Sequence, residues 1–159
     1  MTEEELSREF SRALEKVYVT TPDVDFDDLA QSYRNVEDSF LRRVAGNEFL
    51  TLETKRRVAE LMLYSAIDKQ CSFELCESLY GKLSRLGFTN LEKKSNVQLI
   101  YSRYCLQLGR NDDGILLLEP LEVELEEKRQ QSDAPVYRQL LHTVRDVLQQ
   151  LRATNQRKF

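Results

Sequence analysis

Apolar side chains recur every three or four positions along nearly the whole chain, and little in the sequence interrupts that rhythm. A period of 3.6 residues builds a helix with one greasy face, which has to be covered by another helix. With only five glycines and three prolines, the many tight turns of an all-β sandwich have too little punctuation to form. The expected fold class is therefore all-α. A chain of 159 residues with 41% apolar and 31% charged side chains can bury a continuous core without disulfide or metal staples, so one helical domain is expected over 1–159.

Seven amphipathic segments can be read, each with its own start or stop chemistry. The first carries Leu6, Phe10, Ala13, Leu14 and Val17 behind an acidic first turn, and Thr21-Pro22 blocks its continuation. The second runs from Phe26 through Leu29, Tyr33, Val36, Phe40 and Val44 to a stop at Gly46-Asn47. Thr51 is the expected N-cap of the third, whose stripe is Val58, Leu61, Met62, Ser65 and Ala66 up to about Asp68. Ser72 opens the fourth, with Phe73, Cys76, Leu79, Tyr80, Leu83 and Leu86 on one face before Gly87. The fifth follows Asn90 and places Leu91, Val97, Ile100, Tyr101, Tyr104, Cys105 and Leu108 together, ending at Gly109. In the sixth, Ile115, Leu118, Leu121 and Leu125 are widened by Leu116 and Leu117, which implies contact on two sides, and Pro120 interrupts one backbone bond. The seventh starts at Asp133-Ala134-Pro135 and continues through Leu140, Leu141, Val144, Val147, Leu148 and Leu151. Short turns between such helices make successive ones antiparallel.

The chain also repeats itself. At an offset of about 39 residues, Thr51 to Val58 falls on Asn90 to Val97 with four identities, a period typical of stacked two-helix units. Within the second copy, the run Gly109-Arg110-Asn111-Asp112-Asp113-Gly114 resembles the inter-helix turn of a tetratricopeptide repeat, a family of helical hairpins that display peptide-binding grooves. Gly109 matches the family's turn glycine, Gly114 its small residue at the helix crossing, and Leu118 and Leu121 its packing positions. The pattern departs at Leu121, larger than the usual alanine, at Gln98 in place of an aromatic, and at the missing terminal proline. In the preceding hairpin Lys69-Gln70-Cys71 stands where the glycine turn would be. The resemblance spans about residues 52–128. It implies a short solenoid of stacked hairpins, with an N-terminal helical pair at 1–46, tetratricopeptide-like hairpins at 51–128 and a capping helix at 133–155.

Several function classes find no support. A net charge of −4 and a pI near 5.2 leave no basic stripe for phosphate backbones, so no nucleic-acid partner is expected; the small basic group Arg152, Arg157 and Lys158 reads as a solubilising end. No run approaches the roughly 20 apolar residues of a membrane span, and the acidic start MTEEELSREF is unlike a secretory leader, which points to the cytoplasm. Cys71, Cys76 and Cys105 form no CxxC pair and read as small buried hydrophobes. His142 stands alone, and neither Asp23 to Asp28 nor the glutamates from Glu122 to Glu127 have the spacing of a calcium loop or a catalytic pair. No metal, cofactor or enzymatic activity is expected.

What remains is a surface for another protein. If the stacking is tetratricopeptide-like, the resemblance implies a groove along the first helix of each hairpin, with Asn96, Leu99, Arg103, Leu106 and Gln107 facing it and Arg57, Glu60 and Tyr64 extending it from the third helix. Leu99 and Leu106 lie off the core stripe, where they either hold a partner's peptide or helix or pack on the first two helices. The expected function is that of a non-catalytic adaptor or chaperone-like module. The alternative is a homodimer joined through the sixth and seventh helices.

Overall fold

In the structure, a computed structural model that describes residues 2–20 and 24–156, seven α-helices follow one another: α1 (Glu3–Thr20), α2 (Phe26–Arg43), α3 (Glu48–Asp68), α4 (Phe73–Leu86), α5 (Leu91–Gln107), α6 (Asn111–Gln131) and α7 (Pro135–Gln156). No strand occurs among the described residues. None of the described helices is long and apolar enough to cross a membrane. Thr21-Pro22, Asp23, Arg157 and Lys158 lie outside the described residues.

The helix starts follow local hydrogen-bond chemistry. Asp25, Ser72 and Asn90 each accept a bond from the backbone N–H three residues on, at Asp28, Leu75 and Lys93, satisfying a donor that a helix N-terminus would otherwise orphan. Thr51 does not cap α3. The helix begins a turn earlier, because Asn47 accepts from Leu50 N through its side-chain oxygen while its amide nitrogen donates to Glu3 Oε1 at 3.0 Å. One residue thus starts α3 and ties it to the first turn of α1. Pro135 occupies the first position of α7 as predicted, where its missing N–H removes no helical bond.

Two turns close in the same way. After α3, Gln70 N–H bonds to Ile67 O and Cys71 N–H to Ala66 O; after α5, Gly109 N–H bonds to Leu106 O and Arg110 N–H to Cys105 O. Both are paired Schellman bonds. Gln70 and Gly109, 39 positions apart, both sit in the left-handed region, at φ 55° and 72°. The sequence Lys69-Gln70-Cys71 therefore makes the glycine-type turn without glycine, at the conformational cost of a Cβ there. The correspondence extends inward: Val58, Ala59, Glu60, Met62, Leu63, Ser65 and Ala66 are the buried residues of α3 along this stretch, and their counterparts Val97, Gln98, Leu99, Tyr101, Ser102, Tyr104 and Cys105 are those of α5. The first helices of the two hairpins thus repeat in burial along this stretch.

The chain divides into two compact units, Met1–Gly87 and Phe88–Phe159, a boundary that falls inside the segment the sequence reading drew as 51–128. In the first, helices pack in succession, α1 on α2, α2 on α3 and α3 on α4. Phe10 and Phe40 meet with ring centroids 4.9 Å apart, and Arg43 lies over Phe40 while forking onto both carboxylate oxygens of Glu9 at 2.8 and 2.9 Å. The ammonium of Lys69 donates to Val24 O. Arg56 donates to Leu86 O at 3.1 Å, occupying one of the carbonyls left open at the end of α4.

In the second unit α6 packs against both α5 and α7, which also meet each other. Its core joins Leu99 to Leu118, Leu121 and Leu125 of α6 and to Leu141, Val144, Val147, Leu148 and Leu151 of α7. Gly114 marks a close approach of α6 to α7: a Cβ built there would stand 3.0 and 3.1 Å from the two δ-methyls of Leu151. Asn111 Nδ2 donates to Leu151 O at 2.9 Å in the buried interior, fixing the end of α7 to the start of α6. The two-sided contact expected of α6 is present, through α5 and α7, but Leu116 takes no part in it and is 74% exposed; Leu108, expected on the α5 stripe, is the C-cap residue and 47% exposed.

Candidate partner-binding surfaces

The residues proposed from sequence to face a partner separate by burial. On α3, Arg57 is exposed, Glu60 is buried at 7% exposure and Tyr64 is half-buried. Buried Glu60 accepts a hydrogen bond from the Tyr64 hydroxyl, whose pKa rises above the ordinary tyrosine value because burial, and then the Glu60 charge, disfavour the phenolate. Of these three residues Arg57 stays exposed and Tyr64 partly so. On α5, Asn96, Arg103 and Gln107 are exposed, whereas Leu99 is a core residue at 4% exposure and Leu106 is half-buried against the same cluster. Both leucines pack against the α6 and α7 side chains of that cluster, which takes them from the proposed partner face. The physical reason is the width of the covered arc: α5 meets two neighbours, and a helix held between two neighbours buries more than one stripe.

Once the buried members are removed, the exposed and half-buried positions recur with the same spacing on the two helices. Arg57, Tyr64 and Asp68 on α3 correspond at the 39-residue offset to Asn96, Arg103 and Gln107 on α5, each set spaced by seven and then four residues. Such spacing keeps them on one side of a helix.

A further feature was not read from the sequence. Between α1, the end of α2 and the start of α3 lies a cleft of about 160 Å³. Leu6, Phe10, Phe40, Val44 and Leu50 supply its apolar walls, and Ser7, Ser11, Glu53, Thr54 and Arg57 the polar ones. Glu53 is held by Arg56 at 2.9 Å, and Thr54 donates to Leu50 O at 2.8 Å. The exposed guanidinium of Arg57 stands at this cleft, so the one residue shared by the sequence proposal and the cleft is a cation. Its signal in the sequence was faint: Ser7 and Ser11, four residues apart, flank Phe10 with side chains too small to close over the ring. No local pattern could have joined them to residues more than 40 positions away.

Other sequence candidates have structural occupations. Asp25, in the acidic stretch Asp23 to Asp28, caps α2. Tyr101 and Tyr104 are both buried with centroids 6.1 Å apart, and the Tyr137 ring lies 5.7 Å from the ammonium of Lys128. His142, on the solvent side of α7, stands 3.4 Å from Asp146. Cys76 and Cys105 are buried and Cys71 half-buried, where burial pushes the Cys71 thiol above its usual pKa. Among the described residues no group of three or more histidine, cysteine or acidic side chains is placed to hold a metal ion.

No known family model, curated protein or solved structure matches this chain.

Proposed function

We propose that this chain is a non-catalytic protein-interaction module, an adaptor or chaperone-like holder, that grips a peptide segment of a partner through the α1–α3 cleft. The observation that supports this reading is the pairing of apolar walls with Arg57 at one site. A cavity of roughly 150 Å³ accommodates a benzene ring, so the cleft has room for one bulky apolar side chain, whose burial contributes about 1.5–3 kcal/mol. Arg57 adds direction. A carboxylate next to that anchor in the partner would meet the guanidinium in the planar, two-point geometry that arginine favours.

The selected segment is accordingly an aliphatic or aromatic residue beside aspartate or glutamate. Tyr64, on the same helix as Arg57, extends the proposed contact face of the first unit, and Asn96, Arg103 and Gln107 form a proposed face of their own on the second, while Leu99, Leu106 and Glu60 act from inside the fold. Panning a random peptide library on the full chain tests the reading. Enriched peptides should carry the anchor-plus-acid pair, and Arg57→Glu should weaken them at least tenfold without moving the melting temperature. Enrichment of peptides lacking that pair, or binding indifferent to Arg57→Glu, overturns it.

A further inference from the structure

The outer face of α6 presents an apolar stripe to solvent. Leu116 is 74% exposed and Val123 58% exposed, seven residues apart, with exposed Pro120 between them. This is the i, i+4, i+7 spacing by which one helix receives another. Pro120 has no N–H to give the carbonyl of Leu116, and its ring crowds that carbonyl, so one bond of the helix ladder is missing beside the stripe.

The surroundings are acidic. Exposed Asp112, Asp113 and Glu119 flank Leu116, and Glu119 and Glu127 flank Val123. Two ion contacts to this group are long, Arg110 to Asp113 at 3.8 Å and Arg152 to Glu119 at 3.9 Å. Over its whole length α6 carries seven carboxylates against two basic residues.

We infer that this face is a second docking surface, separate from the cleft, and that its occupant is a cationic amphipathic helix of another protein. Aliphatic residues of that helix cover Leu116 and Val123, and flanking lysines or arginines meet the carboxylates. The charge pattern decides against a second copy of this chain. A two-fold contact places each patch on its own image, and here it would set the four carboxylates against their duplicates, which opposes association.

The test uses the full chain and a synthetic amphipathic helix of about five turns, with leucine on one face and lysine flanking it, labelled for fluorescence anisotropy. A glutamate-for-lysine version and a scrambled version are measured alongside. The lysine helix should bind, lose affinity as salt rises, and weaken at least tenfold on Leu116→Ser/Val123→Ser, an exposed pair whose replacement leaves the melting temperature in place. Arg57→Glu should leave this binding unchanged, which separates the surface from the cleft. Equal binding of the glutamate or scrambled helix, or indifference to the double substitution, overturns the inference. So does a dimer, seen by sedimentation in the absence of peptide, that the double substitution dissociates.

Discussion

Replacing Gly114 by alanine sets two effects of known sign against each other. Inside a helix alanine is favoured over glycine by about 1 kcal/mol, and if nothing stood nearby the variant would gain that amount. The new methyl, however, would lie 3.0 and 3.1 Å from the δ-carbons of Leu151, while Ser102 O at 3.5 Å is at ordinary contact distance. Leu151 has little room to yield: it is fully buried, and its carbonyl is held by Asn111. Overpacking of this kind costs about 1–3 kcal/mol, so Gly114→Ala should be destabilising by about 1 kcal/mol net, the midpoint of the two ranges. Urea unfolding followed by far-ultraviolet circular dichroism measures it. The same substitution made on Leu151→Ala, which itself costs about 2–5 kcal/mol, should become stabilising by about 1 kcal/mol because the obstructing methyls are gone. A stabilising Gly114→Ala in the parent chain, or equal effects in both backgrounds, would refute the reasoning, since either result means that Leu151 does not press on this helix crossing.

Gln70→Gly should stabilise the chain by about 0.5–1 kcal/mol, because a left-handed residue with a Cβ carries about 1–2 kcal/mol of strain that the unfolded-state freedom of glycine only partly offsets; a lower urea midpoint would contradict this. Glu37→Gln should raise the melting temperature at neutral pH. Burial pushes the Glu37 carboxyl above its ordinary pKa, outweighing Lys82 and Lys55, so the folded state binds the proton more tightly than the unfolded state. Stability from this residue is then lost as pH rises from below the ordinary carboxylate range through the raised folded value, and the advantage of glutamine should vanish in acid; an advantage that persists unchanged there would show that ionisation is not its cause.

Helix number and most helix ends were legible in the sequence, because they depend on neighbours within about four residues. Asp25, Ser72, Asn90, Gly109 and Pro135 each act on backbone groups in their own turn. Asn47 was harder to see, since Thr51 and Asn47 have equally good capping chemistry and the contact with Glu3 tips the choice. Gln70 was missed for a related reason: the turn it makes is set by the two helices that follow one another there, and a left-handed glutamine has no signature of its own. The 39-residue repeat was visible as four identities, and its burial pattern then matched along the helix.

Which faces were covered was a tertiary matter. The sequence showed that Leu99, Leu106, Leu116 and Leu117 lie outside a single stripe, but hydrophobicity is the same whether a side chain meets a core or a partner. Packing drew Leu99 and Leu106 inward against α6 and α7 and left Leu116 in water. The cleft beside Arg57 came from the same level, built from side chains on three helices whose separation along the chain carries no local signal. Periodicity and capping are encoded within a turn or two of backbone; the choice of neighbour depends on distances that only the assembled helices define.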